Sequence, residues 1–305
     1  MFDIENPYFK RVQLLVRVLP HIAAHDCFAL KGGTAINLFV RDMPRLSVDI
    51  DLVYVPIKER TASLSEMTQA FQLMTNQIKH SIAGSSVNAQ KDNNGNIAKL
   101  IVLHDSESIK IEASPVSRGL LYSPMKTPIS RSVEELFGYV KVPVVFFDEL
   151  YAGKLCAALD RQHPRDLFDV MILFANEGIS EGLKKSFLVY LICSNRPISE
   201  LLMPNRKDLT EVFRIQFEKM TIVSVQLKDL IETREKLFRV VLENLTDDNK
   251  KFLMSFKRGN PDWELLGLDN VSRLPAVQWK LYNLNQMSMS RRKTAIEKLE
   301  KILYQ

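Results

Sequence analysis

Apolar positions come first. Within residues 6–24 they fall at Phe9, Val12, Val16 and Leu19, with Leu15 and Ile22 beside them. That spacing predicts a helix with one buried face. Phe28-Ala29-Leu30 reads as a short buried strand that runs through Lys31-Gly32-Gly33-Thr34 into a helical stretch, 35–39. Residues 47–55 alternate polar and apolar at their start, as a half-buried strand does. Residues 63–82 suit a helix with Phe71, Met74 and Ile78 on its inner face. Two strands are expected at 97–103 and 109–113, the second strictly alternating, around a turn-like His104-Asp105-Ser106-Glu107. Residues 142–147 give one more apolar strand.

From Asp148 onward the pattern is helical. Asp148 is the expected N-cap of a helix through Arg161, and a second helix follows Pro164. Further helices are expected near 182–193, 208–219, 225–245, 247–257 and 291–303, the fourth announced by Thr246-Asp247-Asp248. The change from mixed to all-helical pattern falls near 145. The expectation is therefore an α/β (α+β) protein with a mixed-sheet domain over 1–145 and a helical domain over 146–305.

Composition narrows this picture without redirecting it. Of 305 residues, 46% are apolar and 25% charged, which excludes disordered, collagenous and low-complexity chains. The longest unbroken apolar run, 187–193, is far short of the roughly 20 residues a membrane span needs. The first residues show no apolar block before a small-residue cleavage site, so no secretory signal is read. Cys27, Cys156 and Cys193 are odd in number and far apart, which suits neither a disulfide framework nor a metal cluster. They read as buried thiols in a reducing cytoplasm. Charge is uneven: the first 150 residues are neutral, and the net +5 lies wholly in the rest. That suits either a polyanion-facing surface or an ordinary solvated helical one.

The chemistry gathers near the N-terminus. Gly32-Gly33-Thr34 sits at a strand-to-helix junction, where missing Cβ atoms let a backbone approach a phosphate and a helix start faces it. Asp49-Ile50-Asp51 follows. Residues i and i+2 of a strand share a face, so both carboxylates stand side by side. They repel unless a cation sits between them, and a hard divalent ion such as Mg²⁺ takes carboxylate and phosphate oxygens together. A turn and a surface pair are the plainer readings of each half. In this order they form the parts of a metal-dependent phosphoryl or nucleotidyl transfer site.

Lys31-Gly32-Gly33-Thr34-Ala35 and Arg45-Leu46-Ser47-Val48-Asp49-Ile50-Asp51-Leu52 resemble the nucleotidyltransferase superfamily, and more narrowly the AbiEii toxin family. Lys154 followed by Arg165-Asp166-Leu167-Phe168-Asp169 strengthens the likeness. So do Pro261-Asp262-Trp263 and the stretch from Leu274 to Lys280. The resemblance spans roughly 25–285. It implies a nucleotidyltransferase-fold lobe holding Mg²⁺ and an NTP, and a helical lobe closing the cleft. It further implies transfer of a nucleotide to the 3′ acceptor end of tRNA, and an AbiEi-type antitoxin. By position it makes Asp49 and Asp51 the catalytic and metal carboxylates, Gly32 and Gly33 the phosphate loop, and Lys154 and Asp166 the lysine and aspartate of the later motifs.

Other roles stay open at this level. The family's phosphate loop often carries Gly-Ser, so here a backbone amide or the Thr34 hydroxyl stands in. Glu112 is either a third metal carboxylate or half of a cross-strand pair with a lysine; alternation also puts Lys110 on its face. Lys154 lies in an apolar helical setting where an unpaired ammonium is costly, which suits a hold on the triphosphate. Asp166 pairs with Lys154, orients it or caps a helix. Arg161 and Arg165 bind phosphate or pair with Asp166 and Asp169. Ser47 shares the Asp49 face, so its phosphorylation is expected to silence the enzyme by repelling the triphosphate. His163 reads as a helix C-terminal residue, Trp263 and Trp279 as core, and the basic tail helix as a solvated face. Competing functions are NMP transfer to a protein or small-molecule hydroxyl, and an inert binding module.

Overall fold

The computed structural model describes residues 6–305. The chain divides into two compact units, Met1–Phe146 with Glu218–Ser224, and Phe147–Phe217 with Val225–Gln305.

The first unit is built on a seven-stranded mixed sheet. Its strands are β1 (Phe28–Lys31), β2 (Asp49–Tyr54), β3 (Ser86–Lys91), β4 (Ile97–His104), β5 (Glu107–Ala113), β6 (Met125–Pro128) and β7 (Lys141–Val144), in the order β3-β4-β5-β2-β1-β7-β6. β2 is central, antiparallel to β1 and parallel to β5. The side chains of Ile50, Leu52, Leu100 and Ile111 are buried on one face. That face meets α1 (Phe9–Ala23) and α3 (Arg60–Ser81), whose Val12, Leu15, Leu19, Phe71 and Met74 are fully buried. Strand alternation sends Asp49 and Asp51 to the opposite face, half-buried. Register places Lys31 and Glu112 beside Asp51, Lys110 beside Asp49, and Lys99 beside Glu112. The sheet is thus apolar on one side and densely charged on the other.

β3 and β6 lie outside the expected elements, as does the short α4 (Arg131–Phe137). β3 is an edge strand with only Val87 buried, and β6 is a four-residue edge strand with none, so neither has an apolar alternation to read. One segment arrives from far along the chain. Arg45 bridges Thr221, and the Leu46 amide donates to the Met220 carbonyl at 2.6 Å, fixing the approach to β2.

The second unit contains α5 (Phe147–Arg161), α6 (Pro164–Asn176), α7 (Glu181–Cys193), α8 (Ile198–Leu202), α9 (Thr210–Gln216), α10 (Leu227–Glu243), α11 (Asp247–Lys257), α12 (Pro275–Asn285) and α13 (Met289–Leu303). α5 packs on α6 and α7 through Leu150, Ala152, Leu155 and Leu159. Thr246 caps α11 reciprocally with Asn249, each side chain bonding the other's backbone at 3.2 Å. The single helix expected over 208–219 is instead α9, ending at Gln216, then a 3₁₀ turn over Glu218–Met220 that belongs to the first unit. Asp148 lies inside the first turn of α5 and accepts from the Ser180 hydroxyl. Among the described residues no helix is long and apolar enough to cross a membrane.

Candidate active site

The Gly-Gly bend and the paired aspartates meet in the first unit. Gly32 has φ +74°, a left-handed conformation that favours glycine. A Cβ there would stand 2.5 Å from the Asp51 Oδ2, so the bend lies directly against that carboxylate. At Gly33 a Cβ would reach 2.8 Å from Arg45 Nη2 and 3.1 Å from Ser47 Oγ. Both glycines are required by close approach, and what they approach is the segment carrying Asp49 and Asp51.

Thr34 takes a different part from the phosphate donor expected of it. It is fully buried, and its hydroxyl lies 2.5 Å from the Asp49 carbonyl and 3.0 Å from Ser47 Oγ. A carbonyl can only accept, so the single Thr34 proton goes to Asp49 and the Ser47 hydroxyl donates to Thr34. Thr34 therefore anchors the start of β2 to the helix after the bend. Of the two stand-ins for a loop serine, a backbone amide is the one left available. Ser47 is only 6% exposed and committed to this bond, so it does not offer a surface hydroxyl to a modifying enzyme.

Glu112 is engaged by Lys110, Nζ to Oε2 at 3.1 Å. Burial alone would lower the Lys110 ammonium, but Glu112, Asp49 and Asp51 together hold it above the ordinary lysine value. Lys110 is the cation the sequence reading left without a role, although strict alternation in β5 already put it on the Glu112 face. No group of three or more His, Cys, Asp or Glu suited to a metal occurs among the described residues. The donor set facing Gly32 is a pair of carboxylates. Mg²⁺ is bound in just this way when phosphates and water complete its shell, so the residues present fit that ion.

The later motifs form a separate cluster in the second unit. Lys154 on α5 is 6% exposed. Its Nζ lies 2.8 Å from Asp166 Oδ1 and 2.9 Å from Asp169 Oδ2, both aspartates from the first turns of α6 and both buried. Arg161 closes the other side of Asp166, with Nε at 2.5 Å and Nη2 at 3.0 Å. Burial would raise the Asp166 carboxyl, yet Lys154 and Arg161 hold it well below the usual carboxylate range. Lys154 and Arg161 thus face Asp166 and Asp169. Arg161 pairs with Asp166, as one of its two expected readings had it.

His163 is at the N-cap of α6, not in a helix C-terminal turn. Gln162 at φ +51° ends α5 first. The His163 Nδ1 accepts from the Arg165 amide at 3.1 Å, which leaves Nε2 to carry the proton toward Gln216 Oε1, also 3.1 Å away. Trp263 packs on Phe252 and Phe256 but is only half-buried, at the margin of the core expected for it. Trp279 is not core: it is 52% exposed.

A glycine bend pressed against Asp51, with Asp49 on the same face of a central strand, suits a class, the enzymes that transfer phosphoryl or nucleotidyl groups. A family model described as "Nucleotidyl transferase AbiEii toxin, Type IV TA system" matches residues 13–283, and the chain belongs to that family of nucleotidyltransferase toxins. The fold is similar to that of MenT4, a nucleotidyltransferase toxin from Mycobacterium tuberculosis. The TM-score is 0.60 at 16% identity, with 90% of this chain and 94% of that one covered. Among curated proteins no significant match is found.

Proposed function

We propose that this nucleotidyltransferase moves a nucleoside monophosphate from an NTP to the 3′ acceptor end of tRNA with Mg²⁺ as cofactor. The observation that carries the site is Gly32 held within van der Waals reach of the Asp51 carboxylate, with Asp49 on the same face of β2.

On this reading Asp49 and Asp51 hold the ion. When bound, Mg²⁺ supplies charge neutralisation on the phosphate oxygens. The Gly32-Gly33 backbone, bare of Cβ atoms, lets the NTP phosphates come close and offers amide donors. Lys110 balances part of the carboxylate charge from the neighbouring strand. The acceptor hydroxyl oxygen bonds to the α-phosphorus, the bond from that phosphorus to the bridging oxygen breaks, and pyrophosphate leaves. The hydroxyl proton passes to a carboxylate of the pair. Lys154 and Asp166 carry the family's later motifs as a preset ammonium and its orienting acid. A modified acceptor end blocks aminoacylation and so translation, the toxic outcome that an AbiEi-type antitoxin would restrain in the cytoplasm.

The test is incubation with each α-labelled NTP and Mg²⁺ in the presence of tRNA, of protein, or of small metabolites. Label on tRNA, sensitive to 3′-end digestion, is the expected result. Label confined to protein or metabolites would replace the RNA acceptor. Label nowhere, with no nucleotide bound, would leave an inert module.

A further inference from the structure

The helical unit holds a group of cations with no acid among them. Lys257, in the last turn of α11, is 8% exposed and has no hydrogen-bond or ion-pair partner among the described residues. Two residues on, Gly259 lies so close to α13 that a Cβ would sit 2.6 Å from Arg292 Nη2 and 3.0 Å from Asn285 Oδ1. Arg292 Nη2 donates to Asn285 Oδ1 at 2.8 Å, while its Nε is buried without a partner. Lys280 on α12 is half-buried and donates to the Ser194 carbonyl at the end of α7.

These cations act on one another. Burial first, then Arg292, lowers the Lys257 ammonium; burial lowers that of Lys280, the Cys193 thiol opposes this, and Lys257 adds a smaller lowering. No carboxylate appears in either account. Lys280 and Arg292 are half-buried and each donates to an oxygen, so the uncompensated charge is that of Lys257. A buried cation without an anion is costly, and an anion from outside would offset it.

α12 carries a second feature. Trp279 and Tyr282, one turn apart, stack with ring centroids 5.7 Å apart and planes at 15°. Both rings are more than half exposed, at 52% and 55%. Aromatic side chains of this size are ordinarily buried or partnered. Here the pair is an open shelf one turn before Asn285, which accepts from Arg292, while Lys280 reaches across to the Ser194 carbonyl. A cationic track beside an aromatic shelf is how single strands are bound without a sequence code: phosphates meet the charges and bases stack on the rings. Both rings stand exposed on the helix surface, which suits a strand passing over them better than a free nucleotide in a pocket.

We infer that α12, with Lys257 and Arg292 beside it, is a binding platform for single-stranded RNA, taking a base on Trp279 and Tyr282 and backbone phosphate on the cations. The inference rests on the proposed RNA acceptor and gives that strand a place on the helical unit.

The experiment uses the full chain and a fluorescein-labelled single-stranded RNA of about twelve nucleotides, with binding read by anisotropy at several salt concentrations and transfer read separately on tRNA. Trp279→Ala and Tyr282→Ala should each weaken binding about tenfold. Trp279→Phe should restore most of it, and Lys257→Gln should flatten the salt dependence by about one unit. Melting temperatures of the two aromatic variants should match wild type, because both rings are exposed. Label on tRNA with all four variants binding RNA as wild type does overturns the platform and leaves the proposed function standing. No label on RNA, with binding still lost in Trp279→Ala, removes the acceptor assignment and leaves the platform. ATP bound as tightly as the oligonucleotide at this shelf, or self-association lost in Trp279→Ala with RNA affinity unchanged, overturns the inference in favour of a nucleotide pocket or a protein contact.

Discussion

Two acidic clusters stand in this molecule, and they differ in what balances them. Asp49 and Asp51 lie half-buried on an open sheet face, with Lys110 beside them and already shared with Glu112. Asp166 and Asp169 are at most 2% exposed at their side chains, with Lys154 buried between them and the more exposed Arg161 on the outer side of Asp166. The first pair is open, in a row where register sets Lys31 against Asp51, Lys110 against Asp49 and Lys99 against Glu112. The second is closed around the buried Lys154. A half-buried carboxylate pair can take an incoming cation, whereas aspartates buried around a lysine are first of all a joint between helices.

The largest effect should come from the open pair. Asp49→Asn or Asp51→Asn removes one carboxylate charge from the proposed ion site while leaving the strand intact. Turnover in the labelled-NTP assay should fall about a hundredfold to a thousandfold, with melting unchanged. Either variant retaining full transfer would break the distinction between the clusters.

Removing the centre of the closed cluster should act on stability instead. Lys154→Met leaves two buried carboxylates facing each other, and breaking a buried pair from one side costs about 3–5 kcal/mol. The sign of its pH dependence sharpens the case. In wild type the depressed Asp166 carboxyl contributes stability above the ordinary carboxylate range, lost as pH falls through and below that range. In Lys154→Met one of the two acids is driven upward, so the variant should gain stability as pH falls from neutral. Urea unfolding at pH 7 and pH 5 reads both. A variant as stable as wild type at both values would make Lys154 a ligand contact and not a joint.

A third effect is smaller and local. Gly32→Ala must hold φ near +74° and place a methyl against Asp51 Oδ2. The backbone alone should cost about 1–2 kcal/mol. Displacement of the carboxylate should lower turnover by up to about a hundredfold. Gly84, with φ +78° and open space around it, is the control: Gly84→Ala should share the backbone cost without the loss of turnover.

The sequence showed the open site more fully than the closed one, for a physical reason. A bend and a strand reach their contacts through local geometry: i and i+2 share a face, and two glycines mark a close approach. The Lys154 cluster is made by two helices meeting across a break at Gln162, so its pairing depends on packing that no spacing encodes. Thr34 misled because a threonine after two glycines has the same outward form whether its hydroxyl faces a ligand or the Asp49 carbonyl. Trp279 misled because burial is the usual fate of tryptophan. The edge strands β3 and β6 escaped notice because strands with almost nothing to bury carry no apolar alternation.

The turn between the helices of the closed cluster offers the finest test, because its cap can be titrated. Burial, more than any other cause, lowers the His163 imidazole below 6.5; Arg165 and Arg161 add to this, and Gln216 and Asp166 oppose it. Neutral His163 accepts the Arg165 amide through Nδ1, and a protonated ring cannot. A lowered folded value means the unfolded chain takes the proton first. The cap's stability is therefore complete above the ordinary histidine value and lost as pH falls from there through the lower folded one. Loss of a helix N-cap costs about 1 kcal/mol. Asparagine caps as well and does not titrate here, so His163→Asn should keep its stability between pH 8 and pH 5 while wild type declines by about that amount relative to it. The open cluster, lying in the other unit, should show no matching step in ion affinity over the same range. Parallel stability curves for wild type and variant would remove the titrating cap.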